Sequence, residues 1–379
     1  MLGHLQHSGF DVTSDHEAAD AIIVNTCAFV EDAKSESLDV ILQAAELRAQ
    51  REGKRVFVTG CMAQRYAADL SEQLPEVDGI VGFERYGELP ATLRAMLAQP
   101  PEIDGAPAAD LSGDRVRVGQ ATVPFRPEGR RFRLTPPHTA YLRVAEGCDH
   151  ACTFCAIPGF RGKFRSKAFD SVLAEARMLV AEGVVELNLI AEDTNQYGMD
   201  MCAPSVTLLL TSSFLRDECY LPAVAHALNV AVRCRKGGPG LAELLADLAE
   251  IEGLRWIRIL YAYPSYFSEE LIDEIARNDK VCKYIDIPLQ HMANLTLLAM
   301  NRPPRAYTEG LLRKLRARIP GLVLRTTFIS GFPGETDAQH RELVDFCKSF
   351  RFDRMGAFAY SQEDGTAAYD LPDQVRSRG

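Results

Sequence analysis

Tyr141-Leu-Arg-Val-Ala-Glu-Gly-Cys148-Asp-His-Ala-Cys152-Thr-Phe-Cys155 is a short strand running into three cysteines spaced C-x3-C-x2-C. A cubane iron–sulfur cluster is normally closed by four cysteine thiolates, so three thiolates leave one iron open. An open iron can bind a small molecule and pass it an electron. When that molecule is S-adenosylmethionine (SAM), cleavage of its sulfonium yields a carbon radical, a chemistry that belongs to the cofactor pair. The competing readings are a zinc site or three unrelated thiols. Zinc sites usually pair a C-x2-C knuckle with a second pair downstream, and none follows here.

Outward from this run the chain alternates strand and helix patterns. Strands are expected at Tyr141–Ala145, Glu186–Ile190, Trp256–Leu260, Tyr284–Ile287, Val323–Ile329 and Met355–Tyr360. Helical spacing separates them at Ala168–Ala181, Leu241–Ile251, Glu269–Arg277, Glu309–Ile319 and Ala338–Phe350. Six βα repeats predict a partial (βα)6 barrel over 138–366. Active sites of such barrels lie at the C-terminal strand ends. Polar clusters fall there: the cysteines, Glu192-Asp193, Tyr263-Pro264, Gln290-His291, Gly331–Glu335 and Tyr360-Ser361.

Residues 1–95 read as a separate open α/β (flavodoxin-like) domain. Ala21–Asn25 and Val56–Thr59 are its buried parallel strands, and Phe29–Gln50 is helical between them. Cys27 and Cys61 follow the two strands, where ligands of open α/β sheets sit. They converge on one site or are simply small buried hydrophobes. Residues 96–137 read as a linker. Its arginines (Arg115, Arg117, Arg126, Arg130, Arg131, Arg133) form a basic patch or, as charge runs commonly do, a solvated stretch. The segment 201–236 has no clear period, and long structureless loops are uncommon in compact domains. It reads as an error of gene assignment, such as a retained intron, ahead of a functional insertion or a disordered loop. Cys202, Cys219 and Cys234 are therefore left out of the site.

Composition is that of a globular protein, with 47% hydrophobic and 25% charged residues. No apolar run approaches the ~20 residues that span a bilayer, no signal peptide is visible, and no membrane partner is expected. The ten cysteines are spread out, which favours a reducing compartment over a disulfide framework. A net charge of −10 argues against stand-alone binding of nucleic-acid backbone, and no DNA partner is expected.

Several residues are candidate SAM contacts by position. The turn Gly331–Glu335 lets backbone approach a ligand closely. Glu192 and Asp193 can accept hydrogen bonds from ribose hydroxyls or the amino group, Arg325 can pair with the carboxylate, and Gln290 lies at a strand end. Phe154 can shield the cluster or stack near adenine. Arg161, Lys163, Arg165 and Lys167 offset cluster charge, touch substrate, or are a solvated loop.

The chain resembles the radical SAM methylthiotransferases. The resemblance is carried by Val24-Asn-Thr-Cys-Ala-Phe-Val, Val58-Thr-Gly-Cys-Met-Ala-Gln, the cysteine run through Cys155-Ala-Ile-Pro, Ile287-Pro-Leu-Gln-His, Met300-Asn-Arg-Pro and Arg325-Thr-Thr-Phe-Ile-Ser-Gly-Phe-Pro-Gly-Glu-Thr. It implies two [4Fe-4S] clusters. Cys148, Cys152 and Cys155 would hold the radical-generating one, and Cys27 and Cys61 the auxiliary one that handles sulfur. It also implies one SAM as methyl donor and another as radical source. Pro288–His291 and Phe352–Ser361 are similar to the branch that methylthiolates an aspartate of small-subunit ribosomal protein twelve. The sibling, MiaB-like branch, acting on an adenosine of tRNA, is the alternative.

Two features of the family are not seen in this sequence: a third auxiliary cysteine upstream of Cys27, and the C-terminal TRAM barrel. They raise a further alternative, a truncated and inactive ribosome-binding fragment. Expected partners are ribosomal protein twelve or the assembling ribosome, an electron donor and a sulfur donor. The expected compartment is the cytoplasm, or an organelle interior (plastid or mitochondrion) in a eukaryote.

Overall fold

The computed structural model describes residues 1–51, 53–98, 115–120, 131–201 and 239–375. Apart from Met201, the segment 201–236 lies outside them. The chain forms two compact units. One comprises Met1–Phe132, Phe154–Gly162 and Ser361–Tyr369; the other comprises Arg133–Thr153, Lys163–Tyr360 and Asp370–Gly379.

The first unit is built on four parallel strands in chain order: β1 (Ala21–Thr26), β2 (Arg55–Gly60), β3 (Gly79–Val81) and β4 (Val116–Arg117). Strand side chains alternate between faces, and β2 shows both faces covered. Val56 and Val58 pack with Ile41, Met62 and Leu70, whereas Phe57 packs with Leu5, Leu89 and Leu93. Asp78 fastens the sheet's lower end, accepting from Arg48 (2.9 Å), Arg55 (3.2 Å) and the Val56 N–H (2.7 Å). β4 lies in the stretch expected to be linker. The segment 361–366, expected in the second domain, falls in the first unit. There Glu363 pairs with Lys34 (3.2 Å) and Arg65 (3.1 Å).

The second unit is a six-stranded parallel sheet ordered β12-β11-β10-β9-β8-β5. Its strands are β5 (Thr139–Arg143), β8 (Glu186–Ile190), β9 (Trp256–Ile259), β10 (Val281–Asp286), β11 (Val323–Ser330) and β12 (Arg354–Ala359). Leu142, Leu189, Ile259, Ile285 and Leu324 occupy one face and are buried under the helices 169–181, 241–249, 269–277, 305–318 and 337–350. The alternate residues make a second, polar face: Asn188 donates to Thr139 (3.0 Å), Arg258 to Glu186 (3.0 Å) and Arg325 to Asp286 (2.7 Å). The helices start on side-chain caps where the sequence supplies them. Ser268 accepts the Leu271 N–H, and Thr336 with Gln339 forms a capping box. This is the open six-repeat βα architecture expected from the pattern.

Candidate functional site

In the second unit, β5 leads into a two-residue strand, β6 (Ala145–Glu146). β6 pairs antiparallel with β7 (Arg165–Ser166) and so clamps the base of the cysteine segment. Gly147, at φ +78°, turns the chain out of β6 into Cys148. Asp149 accepts the Phe164 N–H (3.2 Å) and Gln196 Nε2 (3.1 Å). His150 Nε2 lies 2.7 Å from Asp193, whose carboxylate is fully buried. The Tyr263 N–H donates to Asp193 (3.3 Å) and Asn195 (2.8 Å), joining the ends of β8 and β9. Asp193 therefore supports the cysteine segment through His150.

The His150 ring stacks on Tyr263, with centroids 3.5 Å apart and planes 12° apart. Arg302 also lies against Tyr263, its guanidinium carbon 4.1 Å from the ring centre. From there Arg302 Nη1 donates to Cys152 Sγ at 3.6 Å, and Nη2 donates to the Pro288 carbonyl. Burial pushes the Tyr263 phenol up to about 12, against the opposing pull of Arg302. The segment before Arg302 is laced to the loop around Cys152. Thr153 donates to the carbonyls of Met300 (3.2 Å) and Ala299 (2.8 Å), and Asn301 donates to that of Ala151 (2.8 Å).

At the β11 end, Glu335 is enclosed, with its side chain 3% exposed. It accepts the N–H groups of Gly331 (2.6 Å) and Phe332 (3.1 Å) and contacts His291 and His340, each at 3.2 Å. His291 Nδ1 accepts the Ala293 N–H, which leaves Nε2 as the donor to Glu335. Burial raises the Glu335 carboxyl, but His291, the Gly331 N–H and His340 outweigh it and hold the group below its ordinary range. Gln290 adopts φ +73°, unusual for a residue with a Cβ, while bridging to Phe328. Such strain clusters at functional sites.

The expected SAM contacts thus divide. Asp193, Gln290, Gly331 and Glu335 stand at strand ends, and Glu192 is half-buried beside Asp193. Two of them are engaged within the protein: Asp193 holds His150 and Glu335 braces its own turn. Arg325 sits in the third position of β11, not at its end, and is paired with Asp286 in register across β10. Phe154 and Cys155 are half-buried and belong to the segment grouped with the first unit. Tyr263 stands at the β9 end, where the sequence places a polar cluster, whereas His150 and Arg302 carry no separate site role in the sequence reading. The available signals were a histidine inside C-x3-C and an arginine inside Met300-Asn-Arg-Pro.

In the first unit, Cys27 and Cys61 follow Thr26 and Gly60, which pair in register. Gly60 has φ +97°. The Cys27 N–H donates to Ser37 (3.1 Å), and Arg161 Nη2 lies 3.7 Å from Cys61 Sγ while stacking on Phe83 at 4.5 Å.

All seven described cysteines are half-buried thiols. Among the described residues no three His, Cys, Asp or Glu side chains are already gathered as a metal-holding group. The donor chemistry nonetheless fits an iron–sulfur cluster: three thiols within eight residues, with a guanidinium donating to one sulfur.

Residues 1–82 match the uncharacterized protein family UPF0004, and residues 142–347 match the radical SAM superfamily. The chain is 40% identical over 379 residues to the ribosomal protein uS12 methylthiotransferase RimO of Desulforamulus reducens, covering 100% of this chain and 75% of that protein. It is 41% identical over 382 residues to RimO of Geotalea uraniireducens, covering 100% and 74%. Among solved structures, the radical SAM methyltransferase TsrM from Kitasatospora setae shares the fold. Its TM-score is 0.56 at 17% identity, over 97% of this chain and 70% of that one. The cobalamin-dependent radical enzyme OxsB aligns with a TM-score of 0.50 at 14% identity, over 92% and 46%. The chain belongs to the RimO family of radical SAM methylthiotransferases.

Proposed function

We propose that this chain adds a methylthio group to the β-carbon of an aspartate in ribosomal protein uS12. The observation that carries the reading is the 40% identity to RimO along the whole chain, which spans both cysteine regions. Cys148, Cys152 and Cys155 would hold a [4Fe-4S] cluster. Cys27 and Cys61 would contribute to a second, with Arg161 beside one of its sulfurs. With SAM bound, the first cluster supplies a carbon radical able to remove hydrogen from an unactivated C–H bond.

The chain's own residues position the site. The Asp193–His150 pair fixes the loop between Cys148 and Cys152. Glu335 holds the Gly331 turn, whose glycine lets backbone approach the cofactor. The polar sheet face around Arg258 and Arg325 is the surface offered to the substrate segment, with its charges already paired. A low-potential electron donor and a sulfur donor complete the set, and the proposed place of action is the cytoplasm.

The test is anaerobic incubation of the reconstituted, reduced chain with SAM and purified uS12, read by mass spectrometry. A gain of one methylthio group on an aspartate is expected. Modification of a tRNA adenosine instead, or absence of 5′-deoxyadenosine, would overturn the reading.

A further inference from the structure

The position of Arg302 is closely specified. Asn301 takes a left-handed conformation (φ 54°) two residues after the helix Asn294–Ala299. The N–H of Arg302 itself donates back to the Leu297 carbonyl at 2.8 Å. This turn aims the guanidinium at Cys152 while Asn301 and Thr153 lace the two segments together. The side chain is then held from two more sides, by the Tyr263 ring and by the Pro288 carbonyl. Its Nε is buried with no hydrogen-bond partner. A buried donor left without an acceptor has a cost, so this placement is not the one that best satisfies the guanidinium alone.

We infer that Arg302 is a positioning residue that raises the reduction potential of the cluster held through Cys152. The inference rests on the reading that Cys148, Cys152 and Cys155 hold that cluster. When one electron enters from a low-potential one-electron carrier, the negative charge on the cluster sulfurs grows. A cation with an N–H directed at one of those sulfurs stabilises the reduced form more than the oxidised form. Hydrogen bonds to sulfur and local charge are among the main determinants of cluster potential. Arginine suits the task because it stays charged and presents its donors in a rigid fork.

The test uses the full chain carrying Cys27→Ala and Cys61→Ala, so that only one cluster assembles. It is reconstituted with iron and sulfide and titrated by electron paramagnetic resonance against potential. Arg302→Met and Arg302→Gln are expected to titrate at more negative potentials than the parent, with Arg302→Lys remaining closer to it. If Arg302→Met does not retain iron, Arg302→Gln carries the comparison. Unchanged potentials in the neutral variants, a Lys variant shifted as far as they are, or loss of iron from all three would overturn the inference. A parent that assembles no four-iron cluster would overturn the cysteine assignment itself, and the iron count tells that failure apart.

Discussion

Gly60→Ala should loosen the N-terminal unit more than an ordinary glycine replacement. Gly60 combines a left-handed φ of +97° with close backbone approach. A Cβ there would press on the Thr26 carbonyl, 2.7 Å from the Thr26 nitrogen and 2.9 Å from Asn25 Oδ1. Gly53, in the same unit, has φ +84° and nothing within 4 Å of its Cβ position. Gly53→Ala therefore carries only the left-handed penalty, about 1–2 kcal/mol. Gly60→Ala adds an overpacking cost of about 1–3 kcal/mol, because the ends of β1 and β2 must part. With a urea slope of about 2 kcal/mol per molar, the midpoint of Gly60→Ala should lie roughly 0.5–1.5 M below that of Gly53→Ala. The assay is urea unfolding of both variants by far-UV circular dichroism. Equal midpoints would refute the argument that the close approach of Gly60 to Thr26 adds an overpacking cost to the left-handed penalty.

Three further outcomes are expected. Asp193→Ala strips acceptors from His150 and the Tyr263 N–H, and should cost about 2–4 kcal/mol in thermal unfolding, with weaker iron retention. The Glu335 carboxyl is depressed in the folded state, so its contribution to stability is complete above the ordinary carboxylate range and is lost as pH falls through the depressed value. Glu335→Gln should accordingly flatten the acid limb of a plot of urea midpoint against pH, and an unchanged limb would count against the brace. Cys148→Ala should lower the reconstituted iron content by about four per chain and abolish 5′-deoxyadenosine formation.

Four of the six strands of the second unit are marked by alternation because helices cover one face of the sheet, Glu186–Ile190 being the clearest case, whereas Val281–Asp286 and Arg354–Ala359 do not alternate and are marked by their place in the βα repeat. β3 and β4 are not legible: three and two residues are too few to show a period. The helix Asn294–Ala299 escapes for a different reason. Leu295 and Leu298 are 70% and 76% exposed, so its apolar residues do not mark a buried stripe. The cysteine loop is legible because its ligands are adjacent in the chain. Tyr263 is legible only as part of a strand-end cluster and Arg302 not at all, because they come from different connections and only the fold brings them to Cys152. Arg325 and Glu335 illustrate a second limit. Residue type identifies a cation and an anion near a site, but whether each is available to a ligand depends on partners such as Asp286 and His291 that lie 39 and 44 residues away.

β2 has a further consequence. Its Val56, Phe57 and Val58 are fully buried, with a strand on either side and apolar layers above and below. Its amides should therefore exchange with deuterium only in the deepest opening of the unit, after the helix termini and short edge strands have already exchanged. Cys61 follows that strand directly, so its sulfur is anchored to the segment that opens last.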